Sequence, residues 1–148
     1  MTNPYDQRTR EAQYTICPDC GEDLEWHTCD ERPSERTLRI RELNDALRTA
    51  RDHIGVCLAR AQLFITQGVA AHGNDFINRA VEAVRAFDMF SAENDPYGEH
   101  DFGSFTLDGY DMFWKIDYYD NVLERGSPDA TDPAVTKRVL TILLSEEY

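Results

Sequence analysis

The sequence predicts an α+β fold: a small three-stranded antiparallel or mixed sheet covered by about three helices, with an N-terminal zinc knuckle. Three observations carry that expectation. Cys17-Pro-Asp-Cys20 reads as a metal-binding turn, apolar residues recur at helical spacing in separate stretches, and Asp108-Gly109 divides two runs of strand formers. A chain of 148 residues is the size of one domain with a small appendage. The expected organisation is a polar tail over 1–14, a knuckle over 15–30 and an α+β domain over 34–148.

Cys17, Cys20 and Cys29 fall within thirteen residues, with His27 between the last two. Closely spaced cysteines in a reducing compartment are more often metal ligands than disulfides. The CPDCG turn lets two thiolates converge on one ion, and His27 and Cys29, two apart, share a face if extended. The expected site is therefore a structural Cys3His zinc centre with every coordination position filled by protein. His53 and Cys57, four apart, are the rival second pair to His27 and Cys29.

The first helix is expected from Ser34, an N-cap, to just before Gly55, burying Ile40, Leu43, Leu47, Ala50 and Ile54. Gln62–Val69 is rich in strand formers. Asn74 then caps a helix over Asp75–Asp88 with Ile77, Ala80, Val81, Val84 and Phe87 as its stripe. Phe102–Leu107 and Tyr110–Tyr118 flank the Asp-Gly turn, a strong hairpin signal because a type I′ turn needs positive φ at both central residues. Met112, Trp114, Ile116 and Tyr118 alternate with polar and mixed residues and are expected to face the core. Asp132-Pro133 predicts a final helix to Tyr148, lined by Val135, Val139, Ile142 and Leu143.

The formal net charge is −13, from 15 basic and 28 acidic residues. Such a balance argues against nucleic-acid binding through net charge and against anionic membrane surfaces. No apolar run approaches the roughly 20 residues that span a bilayer, and the polar N-terminus lacks a signal-peptide core. The expectation is a cytoplasmic protein. Residues 88–132 hold twelve acidic and two basic residues, a net of −10, so most of the excess sits in one loop and hairpin.

That segment supports three readings. It is a solvated face that maintains solubility. It is a surface for a basic protein, in which Asp95, Glu99, His100, Asp101, Asp108, Asp111 and Asp117 imitate nucleic-acid charge between aromatic anchors. Or it is a small metal-dependent hydrolase site built on Glu99, His100 and Asp101, although their spacing matches no metalloenzyme motif. A weaker alternative is a basic strip of Arg32, Arg36, Arg39, Arg41 and Arg48 for nucleic acid, interrupted by Glu35, Glu42 and Asp45.

Five segments carry a resemblance: Arg41–Leu47 (RELNDAL), Thr66–Ala70 (TQGVA), Asn94–Gly103 (NDPYGEHDFG), Phe113–Asp120 (FWKIDYYD) and Thr136–Leu144 (TKRVLTILL). From about Arg39 to Tyr148 the sequence resembles a bacterial family of uncharacterised proteins, domain of unknown function 3768, on a frame of one-domain size. The knuckle lies outside the resembling region. The resemblance implies no activity. It implies an accessory protein of bacteria and their plasmids or phages, and with the acidic segment it points to a regulatory role. The expected partner is a basic protein such as a nuclease or other nucleic-acid-binding component of host defence.

Overall fold

The computed structural model describes residues 33–50 and 61–148. The chain divides into two compact units, Met1–Ser34 and Glu35–Tyr148, and every element below belongs to the second. The expected zinc ligands Cys17, Cys20, His27 and Cys29 lie outside the described residues, as do His53 and Cys57.

Helix α1 spans Glu35–Thr49 and buries Ile40, Leu43 and Leu47, the stripe its spacing predicts. Asn44 and Arg48, one turn apart, are buried beside them, so the inner face of α1 is partly polar. Strand β1, Ala61–Ile65, is followed by a single helical turn α2, Gln67–Ala70, and by α3, Asn74–Ala86. Gly73, at φ 92°, occupies the N-cap of α3 where Asn74 was expected. Phe76, Ala80 and Val84 form the buried stripe of α3.

Strands β2, Phe102–Leu107, and β3, Tyr110–Tyr119, form the expected hairpin. Asp108 and Gly109 at its turn have φ values of 52° and 82°, the left-handed pair that a type I′ turn requires. Strand β4, Lys137–Leu144, follows a long loop, and a short 3₁₀ turn, Ser145–Glu147, closes the chain. The strand order is β1-β4-β3-β2. β1 runs parallel to β4; the other two pairings are antiparallel.

One sheet face packs on the helices. Met112, Trp114 and Ile116 of β3 and Leu140, Ile142 and Leu144 of β4 meet Leu47 of α1, Val69 of α2 and Phe76, Ala80 and Val84 of α3. The alternate residues of the strands form the opposite face. There Phe64, Tyr119, Val139, Leu143 and Tyr148 line a groove of about 540 Å³ with Lys115 among them. The chain's only lysines, Lys115 and Lys137, stand on strands β3 and β4 at positions alternating with the core residues. No helix of the described residues is long and apolar enough to cross a membrane.

Three expectations need correction. The sheet has four strands, and residues 133–148 are not a helix. Val139, Ile142 and Leu143 do sit at helical spacing, but KRVLTILL is a nearly continuous apolar run. Such a run suits a central strand buried on both faces, and β4 lies between β1 and β3 with residues 140–144 all buried. Asp132-Pro133 makes a local turn instead of a helix start, with Ala134 N–H donating to Asp132 Oδ1 at 2.9 Å. The strand expected over 62–69 also ends early, at Ile65, because Thr66 turns the chain into α2.

Candidate functional site

The polar stripe of α1 grips the loop that joins α3 to β2. Arg41 Nε donates to Gly98 O at 2.6 Å, and Asn44 Nδ2 donates to Glu99 O at 3.0 Å. Asp45 meets His100 Nδ1 with both carboxylate oxygens at 3.0 Å. Arg48 donates to Val84 O at 3.0 Å and Phe87 O at 2.7 Å, capping the C-terminal carbonyls of α3. These side chains are spaced three and four apart, so one helix face delivers all of them. The loop supplies complementary parts: Asp95 accepts from His100 N–H at 3.1 Å, and the His100 ring stacks on Phe90 at 3.7 Å, nearly parallel. His100 itself sits at φ 55°. NDPYGEHDFG is thus a segment folded around its own Asp and His and clamped to α1.

Behind the loop lies a buried network. Tyr118 O–H donates to Glu99 Oε2 at 2.9 Å and receives Asn44 Nδ2 at 2.7 Å. Asn44 Oδ1 accepts from Arg138 Nε at 2.9 Å. Arg138 is fully buried, donates its Nη2 to Ala130 O, and lies 5.1 Å from the Tyr118 ring centre. Among the described residues its Nη1 has no hydrogen-bond partner. Burial lowers the Arg138 guanidinium from its ordinary value. Burial likewise raises the Tyr118 hydroxyl. Asp101 is pushed up to about 6, first by burial and then by the Glu99 charge. Among the described residues, no three Asp, Glu, His or Cys side chains converge as a metal ion would need.

The seven residues expected to form one acidic patch fall in two places: Asp117 lies close enough to the Asp95–Asp101 group for its charge to raise Asp101, while Asp108 and Asp111 stand at and beside the hairpin turn. Asp95, Glu99, His100 and Asp101 gather at the α1 clamp, where Asp95 is buried and His100 is held by Asp45 and Phe90. Asp108 is gripped by both terminal nitrogens of Arg79 at 2.7 and 2.6 Å, which holds its carboxyl below the usual range. Asp111 accepts from Thr106 at 3.2 Å. Asp117 pairs with Lys115 at 2.9 Å. Of the arginine strip, Arg32 lies outside the described residues and the other four are spent internally: Arg36 on Asp129, Arg39 on Glu42, Arg41 on Gly98, and Arg48 in the core.

One feature escapes sequence reading. After β3 the chain makes a closed turn over residues 120–125, with Asp120 N–H donating to Arg125 O at 2.8 Å and a bridge from Tyr119 to Gly126. Asp120 Oδ1 fastens it by accepting from Val122 and Glu124 N–H at 3.2 and 3.0 Å. Val122 and Leu123 are exposed at its tip, 67% and 41%, and Leu123 adopts φ 60°. Positive φ is a true outlier for a branched side chain outside the Gly, Asn and Asp class. An asparagine two positions earlier offered the only local hint, and Asn121 points instead at Ala134 O.

A family model matches residues 65–147, which covers β2, β3, β4, α2, α3 and the 120–125 turn. The chain belongs to that family, described as "Protein of unknown function (DUF3768)". The match starts at Ile65, so α1, whose RELNDAL segment contributed to the resemblance, precedes the matched residues. The family's matched region contains the clamped loop but not the helix that clamps it. Nothing matches among curated proteins, and nothing matches among solved structures.

Proposed function

We propose that the chain is a non-enzymatic interaction protein that presents an acidic surface, tipped by Val122 and Leu123, to a basic partner. The observation carrying this reading is the 120–125 turn. It exposes two aliphatic side chains next to Asp120 and Glu124, and holds one of them in a backbone conformation that costs free energy to maintain. Exposed apolar anchors ringed by charge are the composition of a contact surface. The acidic surplus of residues 88–132 adds long-range attraction for a cationic protein. The resemblance to accessory proteins of bacterial plasmids and phages makes a nucleic-acid-binding component of host defence the partner to test first.

The contact is narrower than the patch of seven. Reversal at Asp108 or Asp117 breaks an existing ion pair and so reports on folding as well as on binding. Val122→Ser with Glu124→Lys is the cleaner probe, because neither side chain supports the turn. Tagged wild-type chain incubated with host lysate should retain a basic protein that high salt releases, and the double variant should not. Equal retention by both would end this assignment.

A small metal-dependent hydrolase using Glu99, His100 and Asp101 is the second reading; in its favour are the Glu99 carboxylate held on Tyr118 O–H at 2.9 Å and the Asp101 carboxyl raised by burial and by the Glu99 charge. It requires Asp101→Asn to abolish turnover of an ester or phosphoester that the wild-type chain cleaves.

A further inference from the structure

Asp108-Gly109 is the only aspartyl-glycine pair in the chain, and no asparaginyl-glycine pair occurs. Such a pair can rearrange without an enzyme. The glycine amide nitrogen attacks the side-chain carboxyl carbon of the aspartate. The C–O bond breaks, and the oxygen leaves as water with the amide proton and the carboxylic acid proton. One water then opens the resulting succinimide at either carbonyl. Opening at Cγ restores aspartate; opening at the α-carbonyl gives isoaspartate, with the backbone routed through the former side chain. Glycine is the follower that permits this best, since no side chain shields its nitrogen. A Cβ on Gly109 would meet nothing within 4 Å among the described residues.

Helix α3 sets a guard on this pair. Arg79 donates Nη1 and Nη2 to the two carboxylate oxygens of Asp108 at 2.7 and 2.6 Å. Asp75, one turn back on α3, accepts from Arg79 Nε at 2.9 Å, and the guanidinium lies over the Phe76 ring at 5.9 Å. The fork is therefore aimed from within its own helix before Asp108 meets it. Ring closure needs a carboxyl that is free to turn onto Gly109 N and protonated on the departing oxygen. Arg79 occupies both oxygens and favours the ionised form, so it opposes both requirements.

We propose that Asp108-Gly109 is a site of aspartate isomerisation and that Arg79, positioned by Asp75, restrains it. Isoaspartate adds one carbon to the backbone of a two-residue turn whose φ values of 52° and 82° fit the Leu107–Tyr110 register. It also leaves the free carboxylate directly on Cα, where the Arg79 fork no longer meets it. Conversion thus unlocks the hairpin from α3. The site stands at the opposite end of β3 from the 120–125 turn and is independent of the contact proposed above.

The test is ageing of the purified full chain near neutral pH, followed by peptide mapping. Isoaspartate leaves the mass unchanged, splits the peptide holding Asp108 into two chromatographic peaks, and blocks a protease that cuts before aspartate. Isoaspartyl methyltransferase labels it independently. Wild type should convert slowly when folded and fast in urea, where Asp108 should precede every other aspartate. Arg79→Ala, with an unchanged circular dichroism spectrum, should convert up to about fivefold faster than folded wild type, the scale of an exposed ion pair. Asp75→Asn, and wild type at high salt, should fall between the two. If Arg79→Ala fails to fold, those two measurements decide. The proposal is overturned if folded Arg79→Ala ages at the wild-type rate, or if Asp75→Asn and high salt both leave that rate unchanged. Another aspartate converting before Asp108 in urea overturns it as well.

Discussion

Gly103 lies face to face with Trp114 across the β2–β3 ladder, and a Cβ built on Gly103 would fall inside van der Waals contact of Trp114 Nε1 and 2.8 Å from Phe87 Cζ. Trp114 is wholly buried and also touches Phe90, edge to face. The indole has nowhere to move. Gly103→Ala is expected to destabilise the domain by about 1–3 kcal/mol, the usual range for overpacking a filled core. Urea unfolding followed by Trp fluorescence measures it directly.

Glu147 ties the last turn of the chain to α2. Its carboxylate accepts from Thr66 Oγ1 at 2.6 Å, Gly68 N at 2.8 Å and Leu144 N at 2.9 Å. Desolvation alone would raise this carboxyl, but the hydrogen bonds outweigh it and hold Glu147 below the usual range. A depressed carboxylate stabilises the fold above its unfolded value, and that contribution is lost as pH falls through the folded value. A Cβ on Gly68 would stand 2.5 Å from Glu147 Oε1 and push the clamp away. Gly68→Ala and Glu147→Gln should each cost about 1 kcal/mol at neutral pH, solvent exposure limiting the value. Because both remove one clamp, the double variant should cost little more than either, a non-additivity that a double-mutant cycle detects.

Asp101 has the opposite sign. Its folded value of about 6 exceeds the ordinary 3.8, so the folded state binds more protons than the unfolded one in that window. Stability attributable to Asp101 therefore falls as pH rises from about 4 to about 6. Asp101→Asn should be more stable than wild type at pH 7 and no more stable at pH 4. Thermal unfolding at the two pH values checks this, and equal shifts at both would refute it.

At Leu123, stability and binding are expected to part. Glycine adopts φ 60° freely, so Leu123→Gly should raise stability by up to about 1 kcal/mol in spite of its larger unfolded-state entropy. The same change removes an exposed anchor and should weaken partner retention. A variant that is less stable and binds normally would contradict both halves.

Local chemistry made the hairpin legible. Asp108-Gly109 and the alternation of Met112, Trp114 and Ile116 specify turn, register and buried face without help from distant residues. α1 was equally readable from its stripe; α3 was readable as a helix, but buried Phe76 lay outside its expected stripe, and Ile77 and Val81 are only partly buried. The last strand was not, because KRVLTILL becomes a strand only through β1 and β3 on its two sides, a non-local cause that spacing does not encode. The acidic residues were visible as a count but not as an arrangement. Arg79, distant in sequence, neutralises Asp108, and Asp45 on α1 captures His100. Charge composition is additive along a chain; ion pairing depends on the fold. The Leu123 conformation had no signal at its own position, since glycine or asparagine is what φ 60° ordinarily selects.

The parallel pairing of β1 with β4 also sets a timetable. β1 leaves the ribosome well before the strand it must join, whereas β2 and β3 can close on their own two-residue turn and receive β4 as soon as it appears. During synthesis the AQLFI segment waits without its ladder, and its docking is the long-range step that completes the sheet. Amides of β1 should gain hydrogen-exchange protection last during refolding, after those of the hairpin.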